Sequence, residues 1–261
     1  MHTSFSGDSE APMESMIEAS IKAGLKDICI TDHMDYNIPH EVEECYMYDP
    51  VAQFACMKSL REKYAGIINV HYGVEIGFCD EGADFYKKLL DSYPFDFNIG
   101  SVHIVDAHDP YYPKYWTLFD TERAGIERYF DRVIYMIKKY KNYDALGHLD
   151  YVFRYAPVNH SYDYKEYSDY IDTILKILIG DGKALEVNTA GYKYGLGVPN
   201  PQPQVLKRYK ELGGELISVG ADGHKPEHVA YDYAKCEALL KECGFDHIAI
   251  YKEHKPVMYR I

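Results

Sequence analysis

The chain has 261 residues, 47% of them hydrophobic, and a formal net charge of −13 from 28 basic and 41 acidic side chains. That length suits one large domain with a full core, and the composition excludes a disordered chain. The acidic balance argues against tracking nucleic-acid phosphates, which needs clustered Lys and Arg, yet it leaves room for a small anionic substrate if metal ions supply local positive charge.

The chain opens abruptly on Met1-His2-Thr3-Ser4-Phe5-Ser6-Gly7-Asp8, with no strand before it. A helix follows over about 11–23, with Met13, Met16, Ile17 and Ile21 on one face and Gly24 as its stop. The run Asp27 to His33 reads as a short buried strand ending in two polar groups. Asp32 and His33 are adjacent, so only one points inward; His33 is the candidate ligand and Asp32 its neighbour. Residues 34–50 read as a loop carrying His40 and several acids, and 51–64 as a helix.

In Asn69 to Ile76, Val70, Tyr72, Val74 and Ile76 alternate with His71, Gly73 and Glu75, the pattern of a strand whose single acid lies near its end. A helix over about 82–92 leads to Asp96 to His103, again a strand-like run stopping at a histidine. The aromatic, proline-broken stretch 106–118 reads as a loop able to shape a pocket or to act as a packing lid. A helix over 122–141 with Ile126, Tyr129, Phe130, Val133, Ile137 and Tyr140 inward precedes Tyr143 to Asp150, a further strand-like run carrying His148, with Arg154 just beyond. Helix 164–179, strand 183–189 with Glu186 and Asn188 on one face, and helix 203–212 follow.

Next comes Glu215-Leu216-Ile217-Ser218-Val219, closed by Gly220-Ala221-Asp222-Gly223-His224; on an extended backbone Asp222 and His224 leave the same face. A helix over 227–243 and a strand over 247–251 complete the pattern. Strands and helices alternate throughout, without an internal repeat or linker, which predicts one parallel β/α domain over residues 1–261. No C-x-x-C occurs among the six cysteines, and they read as reduced residues of a cytoplasmic protein. Neither a signal peptide nor an apolar run of membrane-spanning length stands out, so no membrane partner is expected.

In barrels the C-terminal ends of strands build the active site. Five of the twelve histidines fall at such ends: His2, His33, His103, His148 and His224, joined by Asp8, Glu75 and Asp222. The other seven have no such placement and read as surface or core residues, although His108 lies in the aromatic loop. A lone Asp-x-His is usually a satisfied polar pair, so the argument rests on the series of strand ends. Imidazoles and carboxylates without thiolates suit Zn, Fe or Mn, and eight ligands exceed the needs of one tetrahedral ion. A carboxylate shared by two ions roughly 3.5–4 Å apart suits hydrolysis, in which a bridging hydroxide attacks while the ions hold the developing charge.

The succession His2-Thr3, Ser6-Gly7-Asp8, Thr31-Asp32-His33, Gly73-Val74-Glu75, Ser101-Val102-His103, Gly147-His148-Leu149-Asp150 and Ala221-Asp222-Gly223-His224 resembles the polymerase and histidinol phosphatase (PHP) superfamily, above all its histidinol-phosphatase branch. The resemblance spans almost the whole chain. It implies a distorted seven-stranded (β/α)7 TIM-like barrel with up to three divalent metal ions. By position, His2, Glu75 and Asp222 would hold one ion, Glu75, His103 and His148 a second, and Asp8, His33 and His224 a third. Arg154 matches the arginine that grips substrate phosphate, so Glu75, Asp222 and Arg154 are the expected catalytic residues; the plain alternative for Arg154 is a surface ion pair. The family opens with His-x-His, whereas this sequence begins at the x, so a truncated first strand and a weakened first metal site are expected.

The implied activity is hydrolysis of L-histidinol phosphate in histidine biosynthesis. Its rivals are the same chemistry on a nucleotide or sugar phosphate, and a barrel that binds metal or phosphate without turnover. The general acid is left open between Asp32, Asp150 and a metal-bound water.

Overall fold

The computed structural model describes residues 1–39, 46–158 and 160–261. His40 and Cys45, both assigned from sequence, lie outside the described residues. Helix α1 (Met13–Lys22) leads to strands β1 (Asp27–Ile30) and β2 (His33–Asp35). Helix α2 (Pro50–Lys63) precedes β3 (Asn69–Gly77), α3 (Ala83–Ser92) and β4 (Phe97–Ser101). A single turn α4 (Pro113–Trp116), the long α5 (Glu122–Lys139) and β5 (Ala145–Leu146) follow, then α6 (Ser168–Asp181), β6 (Ala184–Asn188), the short α7 (Ala190–Lys193), α8 (Pro203–Glu211) and β7 (Ile217–Gly220). Helix α9 (Tyr233–Glu242) leads into a hairpin of β8 (His247–Lys252) and β9 (Lys255–Arg260).

Seven strands form one curled parallel sheet in the order β1-β3-β4-β5-β6-β7, with β2 pairing further along β3. The sheet is the frame of a distorted TIM-like barrel. β3 carries it: Asp27–Ile30 pair with Asn69–Tyr72, and after a break His33–Asp35 pair with Glu75–Gly77. The sequence predicts one strand over 27–33, but the chain breaks at Thr31-Asp32. There the Asp32 carbonyl accepts from Glu75 N–H, and the Thr31 N–H turns away to Met1. β1 and β7 do not pair with each other. Residues 1 and 2 connect their ends: Thr31 N–H donates to Met1 O at 2.9 Å, and His2 N–H to Gly223 O at 2.8 Å. Below this contact lies a cavity of about 410 Å³, lined among others by Ile28, Cys29, Phe97, Val219, Leu240 and Ile250.

The alternation in β3 buries Val70, Tyr72, Val74 and Ile76 against the helices. Helix α5 buries Ile126, Tyr129, Phe130, Val133 and Ile137 on one face, as 3.6-residue spacing requires. Much of the tyrosine content is core: Tyr72, Tyr86, Tyr115, Tyr129, Tyr143 and Tyr209 are fully buried. Two acids fasten the N-terminal ends of the strands. The Asp96 carboxylate accepts from Tyr72 N–H and pairs with Arg61, and Asp144 accepts from Asn98 N–H at 2.8 Å and from His254 at 2.9 Å. Glu253 N–H also reaches Asp96, so both acids dock the hairpin turn against the sheet.

Two spans are corrected. The single helix expected over 227–243 is a short 3-10 turn at Pro226–His228 followed by α9, with Asp232 in a left-handed conformation between them. The final strand gains a partner, β9, whose residues are all exposed and carry no buried pattern to betray a strand. Gly100 in β4 lies against the Phe78 ring, which is stacked on Tyr140 at 4.8 Å and wedged edge-on against Tyr143 at 5.4 Å. A β-carbon there would collide with a ring that has no room to retreat. Gly100→Ala is therefore expected to cost about 1–3 kcal/mol, read as a melting temperature lower by about 2–4 °C per kcal/mol.

Candidate metal centre and phosphate site

The candidate residues converge at the C-terminal end of the sheet. Glu75 sits two residues before the end of β3, in register with His33 of β2. His103, His148 and Asp222 each lie two residues past the ends of β4, β5 and β7. His2 enters between β1 and β7 through the backbone contacts that hold residues 1 and 2.

Glu75 divides its two oxygens. Oε1 lies 3.2 Å from His103 Nε2 and 3.1 Å from His148 Nε2, and these two nitrogens are 3.4 Å apart. Oε2 lies 3.4 Å from His2 Nε2 and 4.0 Å from His33 Nδ1. His2 Nε2 is also 3.3 Å from Asp222 Oδ1. The His2 ring stacks between His33 and His224, with centroids 4.2 Å away on each side. Asp8 Oδ2 completes this side at 2.9 Å from His224 Nε2 and 3.6 Å from His33 Nε2. The described residues thus offer three donor groups of the kind that hold metal: His2, His33 and His224; His33, Asp35 and His103; Glu75, His103 and His148.

The expected grouping and the observed one differ in two respects. His2, expected beside Glu75 and Asp222, also stacks into the group containing His33 and His224. Asp35, which the sequence reading left in a loop, belongs to the site: Oδ2 lies 2.6 Å from His103 Nδ1 and Oδ1 3.8 Å from His33 Nδ1. A β-carbon at Gly77, the register partner of Asp35, would fall on that carboxylate, so glycine there makes room for it. The His33-Met34-Asp35 spacing was the available signal, since alternate residues of a strand share a face. Glu186 was also missed as a support. Its buried Oε2 accepts from His148 N–H at 2.8 Å.

Asp222 and His224 reach the site by another route than expected. β7 stops at Gly220, and Asp222 adopts a left-handed φ of 49°, so the segment is a turn and not an extended strand. Asp32 is fully engaged in structure: it accepts from Thr3 N–H and Oγ1, Ser6 Oγ and Gln53 Nε2, and so ties down the segment bearing His2 and Asp8. Of the remaining histidines, His71 pairs with Asp27, His108 bonds to the Asp106 carbonyl, His160 to the Phe153 carbonyl, and His228 approaches Lys193. His247 meets Asp246 and His254 meets Asp144.

Arg154 is buried and is not a surface pair. Nη1 lies 3.1 Å from Asp222 Oδ2, Nε donates to Asn200 Oδ1 at 2.7 Å, and Nη2 is buried without a partner. Asn200 in turn donates to Asp150, which also accepts from Tyr162 Oη and Gln202 N–H. Asp150 is therefore committed to positioning this chain of contacts.

Electrostatics bind the cluster together. Burial works against a charged His2, but Asp222 and Glu75 outweigh it and raise its pKa to about 9. Burial and the neighbouring His2 lower His33 to about 4. Burial opposes ionisation of Glu75 and Asp222 as well. Imidazoles overcome this for Glu75, and His2, His224 and Arg154 do so for Asp222, holding both carboxyls well below the usual range. Among the described residues the carboxylates of Asp8, Asp35, Glu75 and Asp222 surround the rings, and the Arg154 guanidinium stands beside Asp222. His33 Nδ1, Asp35 Oδ1 and His148 Nδ1 are buried without a hydrogen-bond partner. Convergent nitrogen and oxygen donors, excess negative charge and orphaned buried atoms fit divalent cations of the Zn, Fe or Mn type.

A family model described as the PHP domain matches residues 1–190. The chain is 31% identical to a Clostridium acetobutylicum protein described as "Probable histidinol-phosphatase", over 94% of this chain and 92% of that one. It is 28% identical to the histidinol-phosphatase of Lactococcus lactis subsp. lactis, over 97% and 93% of the two chains. The crystal structure of the histidinol phosphate phosphatase from Lactococcus lactis, complexed with zinc, L-histidinol and phosphate, superposes with a TM-score of 0.91 at 28% identity, covering 98% of this chain and 97% of that one. A structure from Listeria monocytogenes shares the fold, with a TM-score of 0.77 at 18% identity, covering 90% and 97%.

Because Glu75 turns one oxygen to His103 and His148 and the other to His2 and His33, whereas His224 lies at one side of the cluster, Glu75→Gln is expected to lower bound metal per chain more than His224→Ala. Elemental analysis of the purified, zinc-loaded variants checks this, and equal losses would contradict the sharing.

Proposed function

This chain belongs to the PHP domain family, and from that premise we propose that it is a metal-dependent phosphomonoesterase that hydrolyses L-histidinol phosphate to L-histidinol and phosphate. Residues 1–261 serve that activity as one domain. The observation that carries the reading is the buried Arg154 guanidinium, with its free Nη2, standing beside Asp222 at the edge of the Glu75-centred donor cluster. A phosphate ester needs both: a fork of donors for its oxygens and a cluster able to neutralise its charge. The names and ligands of the relatives supply the substrate.

In the proposed assignment His2, Glu75 and Asp222 would hold one ion, Glu75, His103 and His148 a second, and Asp8, His33 and His224 a third. When bound, divalent ions activate water and neutralise phosphate charge. The protein's own part is positioning. Asp35 holds His103 by Nδ1, which leaves Nε2 turned toward Glu75 and His148. Asp32 fixes the Thr3–Ser6 segment, and with it His2 and Asp8. Asp150 and Asn200 hold Arg154 so that its fork faces the cluster without searching rotamers.

The location follows the same proposal: a cytoplasmic biosynthetic enzyme acting on a small phosphate ester. Its five described cysteines are unpaired, and burial pushes Cys29 and Cys236 up to about 12, which makes them inert thiols suited to a reducing compartment. Among the described residues no helix is long and apolar enough to cross a membrane.

Phosphate release by the zinc- or manganese-loaded protein tests the reading, with L-histidinol phosphate beside nucleotide and sugar phosphates. Preference for L-histidinol phosphate is expected; a clear preference for another ester would overturn the substrate. Arg154→Met is expected to lower kcat/KM by roughly 10- to 100-fold, the loss of about 1.5–3 kcal/mol for a hydrogen bond to a charged group.

A further inference from the structure

Glu186 lies on β6, between the two strand exits that deliver His148 and Asp222, and it is in none of the donor groups found among the described residues. It is buried, and its partners are amides and not imidazoles. Oε2 accepts from His148 N–H at 2.8 Å and lies 3.3 Å from Asn188 Nδ2. The His148 N–H needs this acceptor. β5 ends at Leu146, Gly147 N–H still reaches Gly100 O, and no backbone carbonyl accepts from His148 N–H. The carboxyl of Glu186 stands where the next rung of the sheet would be. The His148 carbonyl accepts in turn from Tyr151 N–H at 2.8 Å, just where the 3-10 turn Tyr151–Arg154 begins. Both backbone groups of His148 are thereby held, one by Glu186 and the other by the turn that carries Arg154. On the far side of the carboxyl, Gly220 ends β7 two residues before Asp222. Its φ is not positive, so the backbone does not ask for glycine there. The neighbour does: a β-carbon at Gly220 would fall 2.6 Å from Glu186 Oε1.

We propose that Glu186 is a positioning residue: wedged between the exits of β5 and β7, it sets how far apart His148 and Asp222 stand, and with that the geometry of the donor cluster. This rests on the metal-centre reading of the cluster and not on the identity of the ester. His148 Nε2 faces Glu75 Oε1, while Asp222 Oδ1 faces His2 Nε2. The two residues therefore belong to opposite halves of the cluster, which Glu75 joins. Asp222 Oδ2 also meets Arg154 Nη1, and Arg154 ends the turn that starts from the His148 carbonyl. One carboxyl thus orders the ring of His148, the approach of Asp222 and the base of Arg154. Asn188, on the same face of β6, completes the frame: its Oδ1 accepts from Ala190 N–H at 3.0 Å, which turns its Nδ2 toward Glu186. Reach is the property that matters. Aspartate would keep the charge but, one methylene shorter, lose the His148 N–H. Glutamine would lose the charge and keep an accepting oxygen at the same distance.

The test compares Glu186→Gln, Glu186→Asp and Gly220→Ala with the wild type, each loaded with Co2+ and titrated against a competing chelator. Glu186→Asp and Gly220→Ala are expected to weaken Co2+ binding about 10- to 100-fold and to alter the visible absorption of the bound cobalt, while Glu186→Gln stays within about threefold of the wild type. Gly220→Ala brings no polar atom, so its loss traces to displacement of the carboxyl; unchanged affinity there would overturn the proposal. A mere prop for the sheet would lower the melting temperature of Glu186→Asp and leave its cobalt affinity and absorption alone, and that result overturns the proposal too. So does the reverse order, with Glu186→Asp near the wild type and Glu186→Gln weakened, because charge and not reach would then be at work. The metal-free protein supplies an independent arm. Its His148 amide is expected to exchange with solvent about tenfold faster in Glu186→Asp than in the wild type or Glu186→Gln, and equal exchange in all three overturns the proposal. If the wild type takes up no cobalt, the metal reading fails separately and the amide exchange decides.

Discussion

The Glu75 carboxylate is the constraint on which the upper half of this molecule depends. It is buried, and its two oxygens face imidazoles from three other segments plus the residue that enters ahead of β1. An isolated carboxylate in such a place would lose its hydration and revert to the neutral acid. Here the surrounding nitrogens keep it charged, and they arrive only because four strand ends and the Met1-His2 segment converge on one point. Curling of the sheet is what brings them within reach. A flat sheet with the same register would hold His33 beside Glu75 but would carry Asp222 far from both.

The two ends of the sheet treat their acids in opposite ways. Asp96 and Asp144, at the N-terminal ends of strands, are met by backbone N–H groups, Arg61, His254 and the hairpin turn. Their charge is spent within the fold, and they read as stability. At the C-terminal end Asp35 Oδ1 and His148 Nδ1 have no hydrogen-bond partner. A fold that satisfied one end and left the other short of cations is built to receive them. The same division is known for parallel barrels in general, where one face carries chemistry and the other holds the molecule together.

The site was legible in the sequence wherever chemistry and periodicity agreed. The alternation of Val70, Tyr72, Val74 and Ile76 placed Glu75 on the inner face, and runs ending in His103 and His148 pointed to one end of a sheet. Strand lengths were less legible. Run 143–150 yields only Ala145–Leu146 as strand, because hydrophobicity persists through turns that pack against the core. Asp222 and His224 were found by an extended-backbone argument, although the chain turns there through a positive φ; small residues on either side make the turn possible and also made it look like a strand end. Asp35 was missed because a three-residue strand after a polar break has too little pattern to stand out from the following loop. β9 was missed for a different reason: a fully exposed edge strand is held by its hairpin partner and not by burial.

Arg154 ties the donor cluster to a second chain of buried polar contacts. One nitrogen of its guanidinium is held by Asn200, itself held by Asp150, and another touches Asp222. Asp222 also faces His2, so one carboxylate serves both the cation cluster and the guanidinium. A charge arriving at either side changes what Asp222 offers the other. A cation beside Asp222 would weaken its hold on Nη1 and free more of the fork for an anion, while an anion at the fork would leave the carboxylate more available to a cation. The two events would therefore favour each other through one shared carboxylate, with the buried Asp150–Asn200 support holding the guanidinium by Nε throughout.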